Sequence, residues 1–460
     1  MSRFVQVDRD TAYLLPPSVQ DWLPEDHLAR FIVDTVEQLD LSELNRQYAG
    51  RGEAAYPPAM LLALLFYGYA TGEFASRRIE RASYDSVAFR FIAGNTHPDH
   101  DTIAAFRKRF LPQLKALFIQ ILQVAHALKL LKIGNVSLDG SKFKANASKH
   151  KALSYGHAKK LEVLFKAEVE QLMKMAEQAD CKPLPEGLDV PAEIARREDR
   201  LAAIAAAKVE IEARAKLRHD GELKAFEEKS IERERREKQA GRREKQAGRR
   251  FGGRAPKPPE GGVKDKEQVN LTDSESRIMQ VADGGFEQSY NAQALVDVDT
   301  KLIVGAFVTQ APIDMHQIEP ALAELQALPE ALGRAEHLMA DTGYFSRANV
   351  ECCERAGIVP LIALKRANHH VSLLERFAPD EPPCESEEPV AKMYARLQTR
   401  QGRALYAKRK TTSEPPFGGI KHGMRFRQFL LRGFEATKGE WHLASIAWNL
   451  RRMFTLSRAL

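Results

Sequence analysis

Val136-Ser137-Leu138-Asp139-Gly140 and Leu338-Met339-Ala340-Asp341-Thr342-Gly343-Tyr344 share one pattern: a short apolar run that ends on an aspartate. Runs of this length predict buried strands, and a carboxylate that follows one is delivered to a sheet edge. The pattern predicts a strand over 131–138 ending at Asp139 and another over 336–340 ending at Asp341. Residues 289–298 and 302–308 read as two strands joined at Asp299-Thr300, a hairpin. Residues 315–328 and 349–356 read as helices, and 358–363 as a further strand. Strand, hairpin, helix, strand, helix, strand makes a mixed α/β sheet, and ligands of such sheets bind at the strand ends.

A third acidic motif is Ser413-Glu414-Pro415-Pro416-Phe417-Gly418, followed by Lys421. Pro415-Pro416 place Glu414 at the start of a helix. On that helix Glu414 and Lys421 would lie about two turns apart on one face. Taken singly, each carboxylate is more often a cap or turn residue. Brought together by folding, Asp139, Asp341 and Glu414 form a hard-oxygen site suited to Mg²⁺. Two such ions, about 4 Å apart, suit nuclease or transesterase chemistry on a phosphodiester. No P-loop, HExxH or GxSxG motif competes with this reading. His97 and His100 could suggest a metal but read as loop residues.

Charge points to the same kind of substrate. The chain nets +7, and the excess is concentrated. Between Glu232 and Pro258, 11 Lys and Arg stand against 4 Glu; between Arg403 and Arg432, 8 stand against 1. Concentrated basic charge suits a polyphosphate partner, through counterion release. A solvated charged face is the alternative for the first segment, and fits the second poorly because its cations surround Glu414. The chain has 460 residues, 44% of them hydrophobic, which is too long for one core and ordinary for a globular protein. Its longest apolar run, Met60 to Tyr67, is far short of the ~20 residues of a membrane span. The first residues show no apolar signal-peptide core, and four cysteines show no CxxC spacing. A reducing cytoplasm is the expected home.

Residues 1–128 read as an all-α N-terminal domain. Pro57-Pro58 open one helix, Ser86 to Ile92 form a second, and a third begins at Asp101 and carries Ile103, Phe106, Phe110, Leu114, Leu117 and Ile121. Its polar face holds Arg107, Lys108 and Arg109, a pattern that a helix-turn-helix DNA reader and plain helical packing both give. Residues 129–460 form the sheet domain, interrupted over 142–285. Within that insertion, Leu161, Phe165, Leu172 and Met175, then Leu201, Ile204, Ile211 and Ala215, predict an antiparallel helical hairpin with coiled-coil leanings. A perfect repeat, Arg236 to Arg242 and again Arg243 to Arg249, predicts a mobile basic tract before the linker Gly252 to Gly262. Replication slippage without function explains the repeat equally well.

Several motifs together carry a family resemblance. Asp139-Gly140-Ser141-Lys142 with Lys144 to Ser148, Ser289-Tyr290-Asn291-Ala292-Gln293, and Asp341 to Ser346 resemble bacterial insertion-sequence transposases of the DDE class. Tyr406, Arg409, Glu414 and Lys421 resemble the Tyr-Arg-Glu-Lys signature of one large branch, and the similarity runs from about residue 15 to Arg452. The spacing departs from that branch: four residues, not the usual three, separate Arg409 from Glu414, so Lys410 is an equal candidate phosphate contact.

The resemblance implies a ribonuclease H-like catalytic fold with Asp139, Asp341 and Glu414 as catalytic metal ligands. It also implies two Mg²⁺ ions (replaceable by Mn²⁺), and DNA contacts at Tyr406, Arg409, Lys410 and Lys421. The expected activity is binding of element ends, cleavage and strand transfer on double-stranded DNA by a homodimer. Two other classes stand beside it: a catalytically inactive or domesticated DNA-binding derivative, and an assembly protein acting through the insertion. Tyr290, Asn291 and Gln293 either face the site or serve the hairpin. Trp441 and Trp448 either anchor the core or stack on bases.

Overall fold

The computed structural model describes residues 18–48, 55–178, 185, 187–247, 256–281, 284–364 and 387–458, of which 232 and 236–247 by backbone alone. Helices α1 (Leu28–Glu37), α2 (Ser42–Arg46), α3 (Pro58–Thr71), α4 (Ser76–Asp85), α5 (Val87–Ile92), α6 (His100–Phe110) and α7 (Leu114–Ala127) come first. Proline in the first turn starts α3, where its missing N–H costs nothing, and Gly72 ends it at φ 87°. Every residue from Leu61 to Ala70 is buried, so α3 needs partners on all sides. The single helix expected from Asp101 to Ile121 is two. Pro112 sits in a 3₁₀ turn, Leu111–Gln113, between α6 and α7. The cap of α6 is Asp99, whose Oδ1 accepts from Thr102 N at 2.8 Å.

Strand β1 (Ile133–Lys144) follows. A separate compact unit then takes in Asn146–Ile278 and Phe286–Gln288. It holds β2 (Ala152–Ser154), α8 (Tyr155–Glu177), α9 (Val190–Ala247) and β3 (Gln268–Asn270), with β2 antiparallel to β3. Lys208 bonds Glu162 at 2.8 Å and the Tyr155 hydroxyl donates to Glu212 at 2.7 Å, so α8 and α9 run antiparallel. Ala158, Ile204, Ala207 and Ile211 pack with Leu153 and Val269 between them. Where a mobile tract was expected from Arg236, the backbone is instead the continuation of α9 as far as Ala247. The remainder of the repeat and the linker up to residue 255 lie outside the described residues.

The other unit comprises Met1–Ala145, Met279–Gly285 and Ser289–Leu460. After β1 it carries the second half of β4 (Arg277–Gln280), β5 (Phe286–Asp297) from Ser289 onward, β6 (Ile303–Thr309), β7 (Gly333–Ala340) and β8 (Val359–Ile362). β5 pairs antiparallel with β6 and with β1; β1 pairs parallel with β7, and β7 with β8. β4 adds to β5, completing a six-stranded mixed sheet. Helix α10 (Ile318–Gln326) connects β6 to β7, and α11 (Arg347–Arg355) connects β7 to β8. Then come α12 (Pro389–Gln398), α13 (Arg400–Gly418) and α14 (Phe434–Ser457).

α14 unites the sheet with the N-terminal helices, packing on β6 as well as on α3 and α7. The Asn449 amide accepts from Ile303 N and donates to Ile303 O, both at 2.8 Å. The Trp441 indole donates to Gln293 O at 2.9 Å and that of Trp448 to Lys301 O at 3.0 Å; the fully buried Trp441 is a core anchor. The boundary expected at residue 128 is therefore not a boundary between units. An all-round apolar α3 covers its surface against α14. No helix of the described residues is long and apolar enough to cross a membrane.

The Glu440 carboxylate joins the two halves of this core. It accepts from the Tyr69 hydroxyl at 2.7 Å, Leu430 N at 2.9 Å and Leu431 N at 3.0 Å, with no exposed surface. Removing it strands a buried hydroxyl and two backbone donors. Glu440→Ala is expected to cost about 3 kcal/mol in urea unfolding. Glu435→Ala, on the exposed first turn of α14, should stay within about 0.5 kcal/mol. Equal midpoints for the two variants would contradict this role.

Candidate active site

In the parallel pair, Val136 lies against Leu338 and Ser137 against Met339. Pairing stops there. Asp139 and Asp341 each lie two residues beyond that last pair, and the two carboxylates are near enough for Asp341 to raise the proton affinity of Asp139. β7 ends at Ala340, and Asp341 caps a 3₁₀ turn, Thr342–Tyr344, by accepting from Gly343 N at 2.8 Å. β1, expected to end at Asp139, instead runs on to Lys144, because β5 continues beside it through Asp139↔Ala294 to Lys144↔Ser289. Asp139 thus lies inside a strand, at the point where the neighbour on one side stops. That one-sided gap leaves 26% of its side chain open.

Burial pushes the Asp139 carboxyl up to about 6, and the neighbouring Asp341 and Asp314 add to the rise. The Gly140 N–H, at 2.8 Å, and Arg409 oppose it. Arg409 Nη1 stands 3.9 Å from Asp139 Oδ2, and its buried Nε has no hydrogen-bond partner. The guanidinium lies 5.9 Å from the Tyr406 ring centre, and the Tyr406 hydroxyl donates to Ala340 O at 3.4 Å, just before Asp341. Burial raises the Tyr406 phenol above its usual range. Lys410 is exposed. Of the two candidate phosphate contacts, Arg409 is the one beside the carboxylates.

Glu414 is placed differently from expectation. It does not open a helix: α13 starts fourteen residues earlier, at Arg400, and Pro415 and Pro416 lie inside its last turn. Two prolines leave the Thr411 and Thr412 carbonyls without their helical N–H partners. The helix then widens into a π turn, Gly419–Gly423. Glu414 and Lys421 are therefore not two regular turns apart. Ser413, not Glu414, faces β1, its hydroxyl 2.7 Å from that of Ser137, while Glu414 is exposed. Lys421 Nζ lies further along β1, bonding Ser141 Oγ at 2.5 Å and Lys142 O at 3.0 Å over the Phe143 ring. Among the described residues no three His, Cys, Asp or Glu side chains are grouped to hold a metal. The fold assembles Asp139, Asp341, Arg409 and Tyr406, and leaves Glu414 on an open face.

Behind the pair stand residues whose part the sequence showed only in outline. Gln293, opposite Gly140 on β5, donates to Asp314 Oδ1 at 2.8 Å; Asn291 donates to the same oxygen at 2.7 Å. The Tyr344 hydroxyl donates to Gln293 Oε1 at 2.5 Å. A Cβ at position 140 would come within 2.2 Å of Gln293 Nε2, so any larger residue there would displace that amide. Two amides alternating with Ala292 and Ala294 in the buried part of β5 were the available signal for Asn291 and Gln293. Asp314, in a loop without periodicity, offered none. Tyr290, by contrast, is buried among Phe429 and Phe434 and serves the core.

The expected DNA contacts on α6 divide. Arg107 is buried, with Nη1 donating to Phe74 O at 2.8 Å, so it serves the helical core. Lys108 is exposed, and Arg109 lies over the Tyr48 ring while Nε donates to Gln47 at 3.0 Å.

Two family models match the chain. One, described as Transposase domain (DUF772), covers residues 17–109, the region of α1 to α6. The other, described as Transposase DDE domain, covers residues 382–454 and takes in Tyr406, Arg409, Glu414 and Lys421. No curated protein and no solved structure matches. The two matches lie on either side of the sheet that carries Asp139 and Asp341, and they support an insertion-sequence DDE transposase.

Proposed function

We propose that the chain binds the ends of an insertion sequence and catalyses metal-dependent DNA cleavage and strand transfer, acting on double-stranded DNA as a homodimer. The observation that supports this reading is that Asp139 lies near a second carboxylate, Asp341, with Arg409 3.9 Å away. The sheet supports a ribonuclease H-like assignment: three antiparallel strands, β6, β5 and β1, continue into two parallel ones, β7 and β8.

DDE transposase domains use divalent metal ions. The residues present fit such a group in part. Asp139 is a crowded carboxylate whose proton affinity is raised by burial and by two acidic neighbours, the condition a cation relieves. Asp139 and Asp341 would hold Mg²⁺ or Mn²⁺, with Glu414 as the third ligand if α13 presents it on binding DNA. When bound, such ions activate the attacking oxygen and stabilise the leaving one. Arg409 and Lys421 neutralise phosphate charge, and Tyr406 holds Arg409 against the pair. The net positive charge around α13 serves the same end.

Asp139→Asn and Asp341→Asn are each expected to abolish cleavage and joining of end DNA while leaving DNA binding intact, in Mg²⁺ or Mn²⁺. Glu414→Gln is expected to do the same, measured against Glu435→Gln as an exposed control. If Glu414→Gln cleaves as well as that control, the third ligand lies elsewhere.

Asp139 also gives a pH signature. Its folded pKa, about 6, lies above the ordinary 3.8, so ionisation penalises the native state above pH 6. The penalty shrinks as pH falls from 6 and disappears below about 4. In chelator, Asp139→Asn should therefore unfold at higher urea than the parent at pH 8, by up to about 3 kcal/mol. That gap should close by pH 4. A variant less stable than the parent at pH 8 would show that the carboxylate is not strained.

A further inference from the structure

The polar side chains behind the carboxylates form a continuous chain of contacts that ends on the Asp341 turn. Lys142 Nζ lies 3.6 Å from Asp314 Oδ2, at a partly open mouth where each side chain is 22% exposed. Asp314 Oδ1 accepts from Asn291 Nδ2 and Gln293 Nε2. Gln293 Nε2 also donates to Asn291 Oδ1 at 3.1 Å. Both partners on that side of the Gln293 amide are acceptors, so its nitrogen must face them and its oxygen must face Tyr344. The carboxylate of Asp314 thereby dictates which way the amide points.

Tyr344 is fastened at both ends. Its hydroxyl donates to Gln293 Oε1, and its carbonyl accepts from Asn349 Nδ2 at 2.6 Å. Its own N–H donates to Asp341 O at 3.2 Å, closing the turn that Asp341 caps. With Tyr344 99% buried, a hydroxyl deprived of its acceptor would stay unsatisfied, so loss of Gln293 would shift the ring and the turn with it. Gln293 crosses directly over Gly140, the residue after Asp139. One amide thus touches the surroundings of both carboxylates.

We infer that Lys142, Asp314, Gln293 and Tyr344 are positioning residues that set the Asp341 carboxylate against that of Asp139, so that the pair takes a divalent cation as one unit. This rests on the cation-binding reading above. Their role is in geometry, since none of the four is required to touch the ion.

The test is Mn²⁺ titration by calorimetry on the full chain without DNA, with melting temperature recorded in chelator. Tyr344→Phe and Asp314→Asn should each weaken Mn²⁺ binding about 10- to 100-fold, the usual effect of losing a group that orients a metal ligand. Tyr69→Phe removes an equally buried hydroxyl, far along the chain and bonded to Glu440. It should lower the melting temperature and leave Mn²⁺ affinity unchanged. Asp314→Asn, at a partly exposed position, keeps the test open if Tyr344→Phe fails to fold. Asp139→Asn should abolish binding. If it does, and Tyr344→Phe and Asp314→Asn bind as tightly as the parent, the chain of contacts is only structural and the inference is overturned. If Asp139→Asn binds Mn²⁺ like the parent, the cation reading itself fails and the inference with it.

Discussion

The hydrogen-bond register between β1 and β7 is the constraint on which the site depends. Pairing Ser137 with Met339 fixes where every later residue of either strand can go. A slip of one residue would turn Asp139 to the opposite face from Asp341, because side chains alternate along a strand. The register is held from both faces. Val136, Leu138, Leu338 and Met339 are fully buried, and β5 is bonded along the rest of β1. A site built on two central strands of a sheet inherits that rigidity. A site built on the loops would not.

The acid placed there is strained by the same core that locates it. Asp139 is mostly enclosed beside a second carboxylate, and Arg409 at 3.9 Å offsets the charge without forming a close pair. Such an arrangement is poor for stability and suited to binding cations and phosphates. The surrounding structure bears the cost. α14 clamps the sheet to the N-terminal helices through Trp441, Asn449 and Glu440, and α3 is buried in that assembly from Leu61 to Ala70. The two segments that match transposase models are therefore not independent modules: α3 from one packs on α14 from the other.

Much of this was legible in the residues. The hairpin of β5 and β6, the strand ending at Ala340, and the helices α10 and α11 follow local apolar pattern, and the structure has them within a few residues. What local pattern cannot set is where a strand stops when its neighbour continues. Asp139 was expected at a strand end because the apolar run ends there, yet pairing with β5 carries the strand five residues further. Helix phase was equally out of reach. Pro415-Pro416 read as a helix start, but the Ser413–Ser137 contact holds α13 against β1 and the helix continues through both prolines. Arg107 looked like a surface cation beside Lys108 and Arg109. One residue of phase turns it inward to Phe74.

The central claim is that Asp139 and Asp341 form one cation site. The most direct measurement is anomalous diffraction from crystals of the full chain soaked in Mn²⁺. The account predicts a peak within ligand distance of both carboxylates, about 2.2 Å from an oxygen of each. A peak bound to other side chains, or none at millimolar Mn²⁺ with both carboxylates ordered, would contradict it.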